Sequence, residues 1–142
     1  MMSKGFALSG LLRLRGLQET KAAGELAAAN HALRRGTGER NTVRESIAAP
    51  EDAPVDSGTL MALMAARAST RGMLLELDAV VASLDSDADH AREAHRQARA
   101  ELKSLEKLAD RHEIAVRNQA LAREQVLLDD LGATNAFEGK TP

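Results

Sequence analysis

Apolar residues repeat along the second half of the chain with the spacing of a coiled-coil helix. Steps of three and four residues from Leu60 to Val116 give seventeen positions, and thirteen of them are apolar. Eight heptads in one frame exceed the three or four that indicate a coiled coil. The pattern predicts a helix over about residues 59–131 with one apolar stripe. That stripe comprises Leu60, Leu63, Arg67, Thr70, Leu74, Leu77, Val81, Leu84, Ala88, Ala91, His95, Ala98, Leu102, Leu105, Ala109, His112 and Val116.

An earlier stretch, about residues 3–49, is rich in Leu, Ala and other good helix formers and predicts a first helix. Gly36-Thr37-Gly38 is its weak point, because a glycine inside a helix costs about 1 kcal/mol relative to alanine. We interpret this tripeptide as a flexible joint at which the helix kinks or frays. The apolar stripe of this helix, with the same three-four spacing, comprises Leu26, Ala29, Leu33, Gly36, Arg40, Val43 and Ile47.

The clearest break in the chain contains Pro50 and Pro54. Each proline removes a backbone donor and disfavours helical geometry in the residue before it. Residues 50–58 therefore predict a turn, with Asp56 or Ser57 as the N-cap of the second helix. Gly132 predicts its end, followed by a frayed tail over 132–142. Two apolar helices joined by a short turn predict an all-α fold: one domain, residues 1–142, forming a long antiparallel two-helix coiled coil (a helical hairpin) with helix 2 longer than helix 1.

The lengths of the two helices predict an unpaired end. With the turn centred near Ala53, residue i faces about residue 106 − i, so Phe6 lies opposite Ala100. Residues 101–131 then extend beyond helix 1 with an apolar stripe that a single helix cannot bury. After His112 the strict heptad frame is lost, which indicates a change of partner. The partner is another copy of the chain, a different protein or the N-terminal residues.

Composition fits a narrow core between helices. Phe6 and Phe137 are the only aromatic residues among 142, whereas a compact core normally holds several. Lys and Arg number 19 against 21 Asp and Glu, so nothing favours nucleic acid as a partner. There is no cysteine, no signal-peptide pattern and no apolar run of about 20 residues. We therefore expect a soluble, cytoplasmic protein with no direct membrane insertion.

Candidate chemistry is sparse. His90, Glu93 and His95 suggest a metal site, but the two histidines are five residues apart and diverge around a helix. His95 and His112 fall on the apolar stripe, where a polar residue helps to fix register. No nucleophile is paired with a base, and no phosphate-binding motif is present. We expect a protein that is not an enzyme and needs no cofactor or metal.

The two ends of the chain together resemble the FliJ family of the flagellar type III export apparatus. One element starts at Phe6 and continues as Leu11-Leu12-Arg13-Leu14-Arg15. The other is Leu105-Glu106-Lys107-Leu108, followed by Glu124-Gln125 and Asp129-Asp130-Leu131. The resemblance covers about residues 6–30 and 102–137. This chain lacks the aromatic and glutamine residues that the family often has in mid-helix.

The resemblance implies a stalk-like coiled coil that binds the hexameric flagellar export ATPase ring. It also implies a link to the membrane export gate, a peripheral location at the cytoplasmic face of the membrane, and escort of export chaperones. The overhanging helix end and the family's ATPase-facing end coincide in this sequence. The implied partner-binding residues are Phe6, Leu8, Leu12, Arg13, Leu105, Glu106, Leu108, Arg111, Leu121, Glu124, Gln125, Leu128 and Asp129.

Two other interpretations stay open from the sequence. One is a generic coiled-coil scaffold or oligomerisation module unrelated to secretion. The other is an enzyme in a helical-bundle fold, against which the missing motifs and the narrow core argue. The oligomeric state does not follow from the sequence.

Overall fold

Two helices make up the protein in the computed structural model, which describes residues 4–49 and 56–138 apart from the side chains of 4–6, 137 and 138. Helix α1 spans Lys4–Ala48 and helix α2 spans Ser57–Glu138. These residues include no strand. The predicted all-α helical hairpin with a longer second helix is confirmed. No helix among the described residues has the length and apolar character needed to cross a membrane.

The start of α2 is fixed by Asp56. The backbone N–H of Thr59 donates a hydrogen bond of 2.6 Å to Asp56 Oδ1, and the N–H of Leu60 donates to the Asp56 carbonyl at 3.0 Å. A side-chain oxygen that accepts from the third helical residue is the signature of an N-cap. Of the two candidates that the sequence offered, Asp56 is therefore the cap. Pro50 and Pro54 lie outside the described residues.

The predicted helix end at Gly132 is wrong, since α2 continues through it to Glu138. A glycine ends a helix when it adopts a positive φ, and no glycine among the described residues does so. The residues that follow, from Ala133 to Ala136, contain no proline to interrupt the hydrogen bonding. Thr134 Oγ1 donates to the Asp130 carbonyl at 2.9 Å, inside the continuing helix.

The helices divide into two compact units, which we describe separately. The first contains Met1–Leu17 with Ala100–Pro142, and the second contains Gln18–Arg99. The prediction of a single coiled-coil domain stays a prediction.

In the second unit α1 and α2 pack antiparallel along the predicted stripes. Ala22, Val81 and Ala88 are its buried apolar residues, and Ala88 is fully buried. Small side chains at these positions keep the seam narrow, as the composition indicated. From Leu63 to Ala98 each predicted position except Arg67 is buried or half-buried. In α1 the predicted positions Leu26, Ala29, Leu33, Arg40 and Val43 are half-buried, whereas Ile47 is exposed.

The register of the two helices differs from the one expected from the turn. In an antiparallel pair the numbers of two facing residues have a nearly constant sum, which the turn predicted to be 106. The observed sum is 114 for the contact between Glu19 and His95 and 118 for the contact between Arg40 and Asp78. The prediction 106 − i is therefore wrong by about ten residues. Side-chain packing between the two helices determines which residues face each other, and the midpoint of the linker does not. As a result, the first turns of α2 extend past the end of α1 and have no α1 residue opposite them.

At Gly36 the two helices approach each other closely. This glycine is buried, and a Cβ built on it would lie 2.7 Å from Leu84 Cδ1 and 3.7 Å from Val81 Cγ2. The absent side chain thus makes room for two apolar residues of α2. Helix α1 is not interrupted at residues 36–38. The expected fray is wrong, whereas a kink or flexible joint at these residues stays a prediction. Gly36 also has a packing role.

The first unit pairs the start of α1 with the α2 segment from Ala100 to His112. Leu8 and Leu12 are half-buried in α1, and so are Leu102 and Leu105 in α2. Arg15 Nη1 donates a hydrogen bond of 2.7 Å to Glu101 Oε2 across the pair. Each side chain described from residue 113 to 136 is exposed. The overhang is real but begins after His112, about twelve residues later than predicted, because of the shifted register.

The two glycines of the tripeptide have opposite environments, which gives a matched test. A Cβ at Gly38 meets nothing within 4 Å, so Gly38→Ala gains the full helix propensity of about 1 kcal/mol. Gly36→Ala gains less, because Leu84 has to move. We expect chemical denaturation to rank the Gly38→Ala variant as the more stable. Equal stabilisation of both variants would contradict the close approach at Gly36.

Capping by Asp56 predicts a pH dependence of stability. Hydrogen bonds from the backbone and then the hydroxyl of Thr59 lower the pKa of Asp56 below its ordinary value. A lowered folded-state pKa stabilises the fold above the unfolded-state pKa of about 3.9, and this stabilisation is lost as pH falls through the folded-state value. Asp56→Ala should lower the melting temperature at pH 7, with a smaller difference at pH 2. Ser57→Ala is the control and should behave as the parent at both pH values.

Candidate partner-binding surface

The thirteen residues implied by the family resemblance all belong to the first unit. They come from both of its segments, Met1–Leu17 and Ala100–Pro142, which are far apart in sequence. Folding therefore gathers the two ends of the chain that carry the resemblance. Whether these residues bind a partner stays a prediction.

Three of the thirteen contribute to the seam of the unit itself. Leu8, Leu12 and Leu105 are half-buried between the paired segments, so their contacts are largely made within the chain. The side chain of Phe6 lies outside the described residues. The remaining nine are exposed: Arg13, Glu106, Leu108, Arg111, Leu121, Glu124, Gln125, Leu128 and Asp129.

The exposed residues beyond His112 include an apolar stripe. Ile114, Leu121 and Leu128 are seven residues apart and so lie on one side of α2; we call them the terminal leucine face. Their exposed fractions are 53%, 58% and 59%. A helix in water ordinarily buries such a stripe. Ile114 was not among the residues implied by the resemblance, although its position seven before Leu121 marks it as part of the same face.

Polar residues lie on and beside the terminal leucine face. Gln125 Nε2 donates to Asp129 Oδ1 at 3.0 Å, and Arg117 Nη2 donates to Glu113 Oε1 at 3.1 Å. Arg117 and Gln125 are three or four residues from the apolar residues on either side of them, so they lie on the face itself, while Glu113 and Asp129 flank it. A protein-binding surface usually combines apolar and polar residues in this way. Two predicted residues, Gln125 and Asp129, thus belong to this surface.

Further exposed apolar residues widen the surface. Leu127 and Leu131 are 63% and 60% exposed and lie on a neighbouring side of α2. In the paired part of the unit, Leu11 and Leu108 line a shallow groove together with Arg15 and Glu101. Leu11 was not among the residues implied by the resemblance. The three-four spacing of the α1 stripe, continued toward the N-terminus, passes through Leu12 and Leu8, so Leu11, Leu14 and Leu17 lie off the stripe and are exposed.

The suggested metal site is not assembled. Arg96 donates two hydrogen bonds, of 2.7 and 3.0 Å, to the carboxylate of Glu93, and these bonds lower the pKa of Glu93. His95 points to the other helix, where its Nε2 lies 2.9 Å from Glu19 Oε1. No group of three potential metal ligands occurs in the described part of the chain.

The pair of Glu19 and His95 forms a polar layer inside the seam of the second unit. Their side chains are 27% and 22% exposed. A part-buried polar pair is satisfied only in the register that brings its members together. The expectation that His95 helps to fix the register is consistent with this contact. His112 is half-buried at the end of the seam of the first unit.

These features define a coiled-coil protein that carries an exposed apolar surface at one end of its longer helix. The family model described as Flagellar FliJ protein matches residues 3–141, and the chain belongs to this family. The comparisons with curated proteins and with solved structures gave no match. The family makes the protein a component of the flagellar export apparatus.

A double-mutant cycle tests the polar layer. We expect Glu19→Ala and His95→Ala to be coupled by about 0.5–1 kcal/mol, the range for a part-exposed hydrogen-bonded pair. Urea unfolding of the two single variants, the double variant and the parent gives the coupling energy. As the control, Glu25→Ala combined with His95→Ala should be additive, because Glu25 pairs with Lys21. Additive effects of Glu19 and His95 would show that the contact contributes nothing.

Proposed function

We propose that the protein is a non-enzymatic, stalk-like factor that binds the hexameric flagellar export ATPase through its first unit. The single observation that supports this most is the run of exposed residues after His112, with an apolar face that nothing in the described chain covers. Membership of the FliJ family supports the class of partner. The proposal needs no site chemistry, since binding alone can promote assembly or turnover of the ring.

The terminal leucine face is the centre of the proposed contact. Ile114, Leu121 and Leu128 would be buried by the ATPase, and Gln125, which lies between two of them and bonds Asp129, would offer the partner a polar contact. Central apolar residues surrounded by polar ones usually carry most of the binding free energy. Leu8, Leu12 and Leu105 would act indirectly, by holding the two segments of the first unit together.

The same proposal extends to the remaining roles implied by the family. The protein would connect the ATPase ring to the membrane export gate, at the cytoplasmic face of the membrane, and would escort export chaperones. The absence of the family's mid-helix aromatic residues leaves the gate contact to other side chains of the second unit. Arg40, Arg44 and Asp78 form the ionic cluster of that unit.

The terminal leucine face can be tested with the export ATPase from the same source. The purified protein should bind the ATPase, promote hexamer formation and raise the rate of ATP hydrolysis. Leu121→Glu combined with Leu128→Glu should weaken binding by at least about tenfold, because two charges enter the apolar centre. Binding is measured by calorimetry and hydrolysis by phosphate release.

The control is Met73→Glu, which places the same charge at a half-exposed apolar residue of the second unit. It should bind and stimulate as the parent does. If the parent neither binds nor stimulates, the ATPase proposal is wrong. If the double variant stimulates fully, the ATPase contact lies elsewhere.

A further inference from the structure

Helix α2 has a second apolar stripe in the second unit, separate from the seam with α1. It also follows alternating steps of four and three residues, and each position is exposed. We call it the outer stripe. It comprises Met61, Ala65, Ala68, Gly72, Leu75, Ala79, Ala82 and Ser86.

The outer stripe faces away from α1. At 3.6 residues per turn it lies about 150° around α2 from the seam positions. Met61 and Leu75 are 73% and 71% exposed, more than any other large apolar residue described. A heptad stripe on the outside of a paired helix is the geometry of a further helix–helix contact. The stripe spans 26 residues, or about 38 Å of helix.

We propose that two copies of the chain associate antiparallel through their outer stripes. In an antiparallel coiled coil each residue at one seam position faces a residue at the alternate position of the other helix. In one two-fold register every residue of the stripe faces a stripe residue of the second copy. The numbers of two facing residues then add to 147. Leu75 then faces Gly72 of the second copy, and Ala68 faces Ala79 of the second copy.

The sizes of the facing residues support this register. A Cβ at Gly72 meets nothing within 4 Å in the single chain, so the space in front of it is open for a side chain from elsewhere. The protruding Leu75 supplies a side chain that fits this space, and the two-fold axis repeats the contact. Alanines fill the adjacent layers, which lets the two helices approach closely.

The charges beside the stripe support the same register. Arg71 would lie beside Asp78 of the second copy at the edge of the stripe, where the paired residue numbers add to 149 and not to the 147 of the stripe itself. The two-fold axis makes this pair twice. Within the chain Asp78 lies 3.6 Å from Arg44 and 3.8 Å from Arg40, longer than direct hydrogen bonds. Its carboxylate therefore keeps acceptor capacity for a further cation.

Sedimentation velocity of the full-length protein over a concentration series tests the association. We expect a reversible monomer–dimer equilibrium for the parent. Leu75→Glu should raise the dissociation constant by about a hundredfold, because the substitution occurs twice in a two-fold contact. Met73→Glu, next to the stripe but outside it, should dimerise as the parent does.

Gly72→Leu separates association from folding. The added side chain meets open space in the single chain and improves helix propensity by about 0.8 kcal/mol, so the melting temperature of the monomer should rise. The same side chain occupies the space that Leu75 of the second copy needs, so the dimer should weaken. A variant that is both more stable and less dimeric cannot be explained by misfolding.

Disulfide trapping tests the register, and the chain has no cysteine of its own. Ala68→Cys mixed with Ala79→Cys should give a cross-linked pair under mild oxidation, because these positions face each other. Ala68→Cys alone should not cross-link, since its two copies would be 11 residues out of register. A parent that stays monomeric at all concentrations overturns the proposal. Cross-linking of Ala68→Cys with itself overturns the antiparallel register.

Discussion

The structure of the second unit depends on the close approach of α1 and α2 at Gly36. Leu84 and Val81 pack where a side chain would otherwise lie, and Ala22 and Ala88 keep other parts of the same seam narrow. These small residues set which part of α2 faces which part of α1, because large side chains can be accommodated only opposite them. The register that follows places Glu19 against His95 and decides which residues remain exposed.

Polar layers make this seam selective at some cost in stability. Glu19 satisfies His95, whereas Arg40 Nε is buried without a hydrogen-bond partner and lies 3.8 Å from Asp78. A part-buried charge that is imperfectly paired contributes little to stability, and we interpret its role here as one of fixing the register. The seam thus combines small apolar residues, which permit close packing, with polar residues, which restrict it to one alignment.

Among the described residues, α2 carries two apolar surfaces to which we assign partners outside the hairpin. The terminal leucine face follows His112 in the first unit, and the outer stripe follows Met61 in the second. Each has the spacing of a helix-binding surface and each is bordered by charged residues. They belong to different units, so the proposed ATPase contact and the proposed self-association use different residues of α2.

The sequence by itself determined the number of helices, their order and the apolar stripe of α2 from Leu63 to His112. Local rules suffice for these features, because helix propensity, proline breaks and three-four spacing act within one helix. The register, the start of the overhang and the role of Gly36 were decided only by tertiary packing. They depend on which residues meet across two helices, and no spacing along one helix contains that information. The same reason explains Gly132, which had the composition of a helix end but lies in a helix that continues to Glu138.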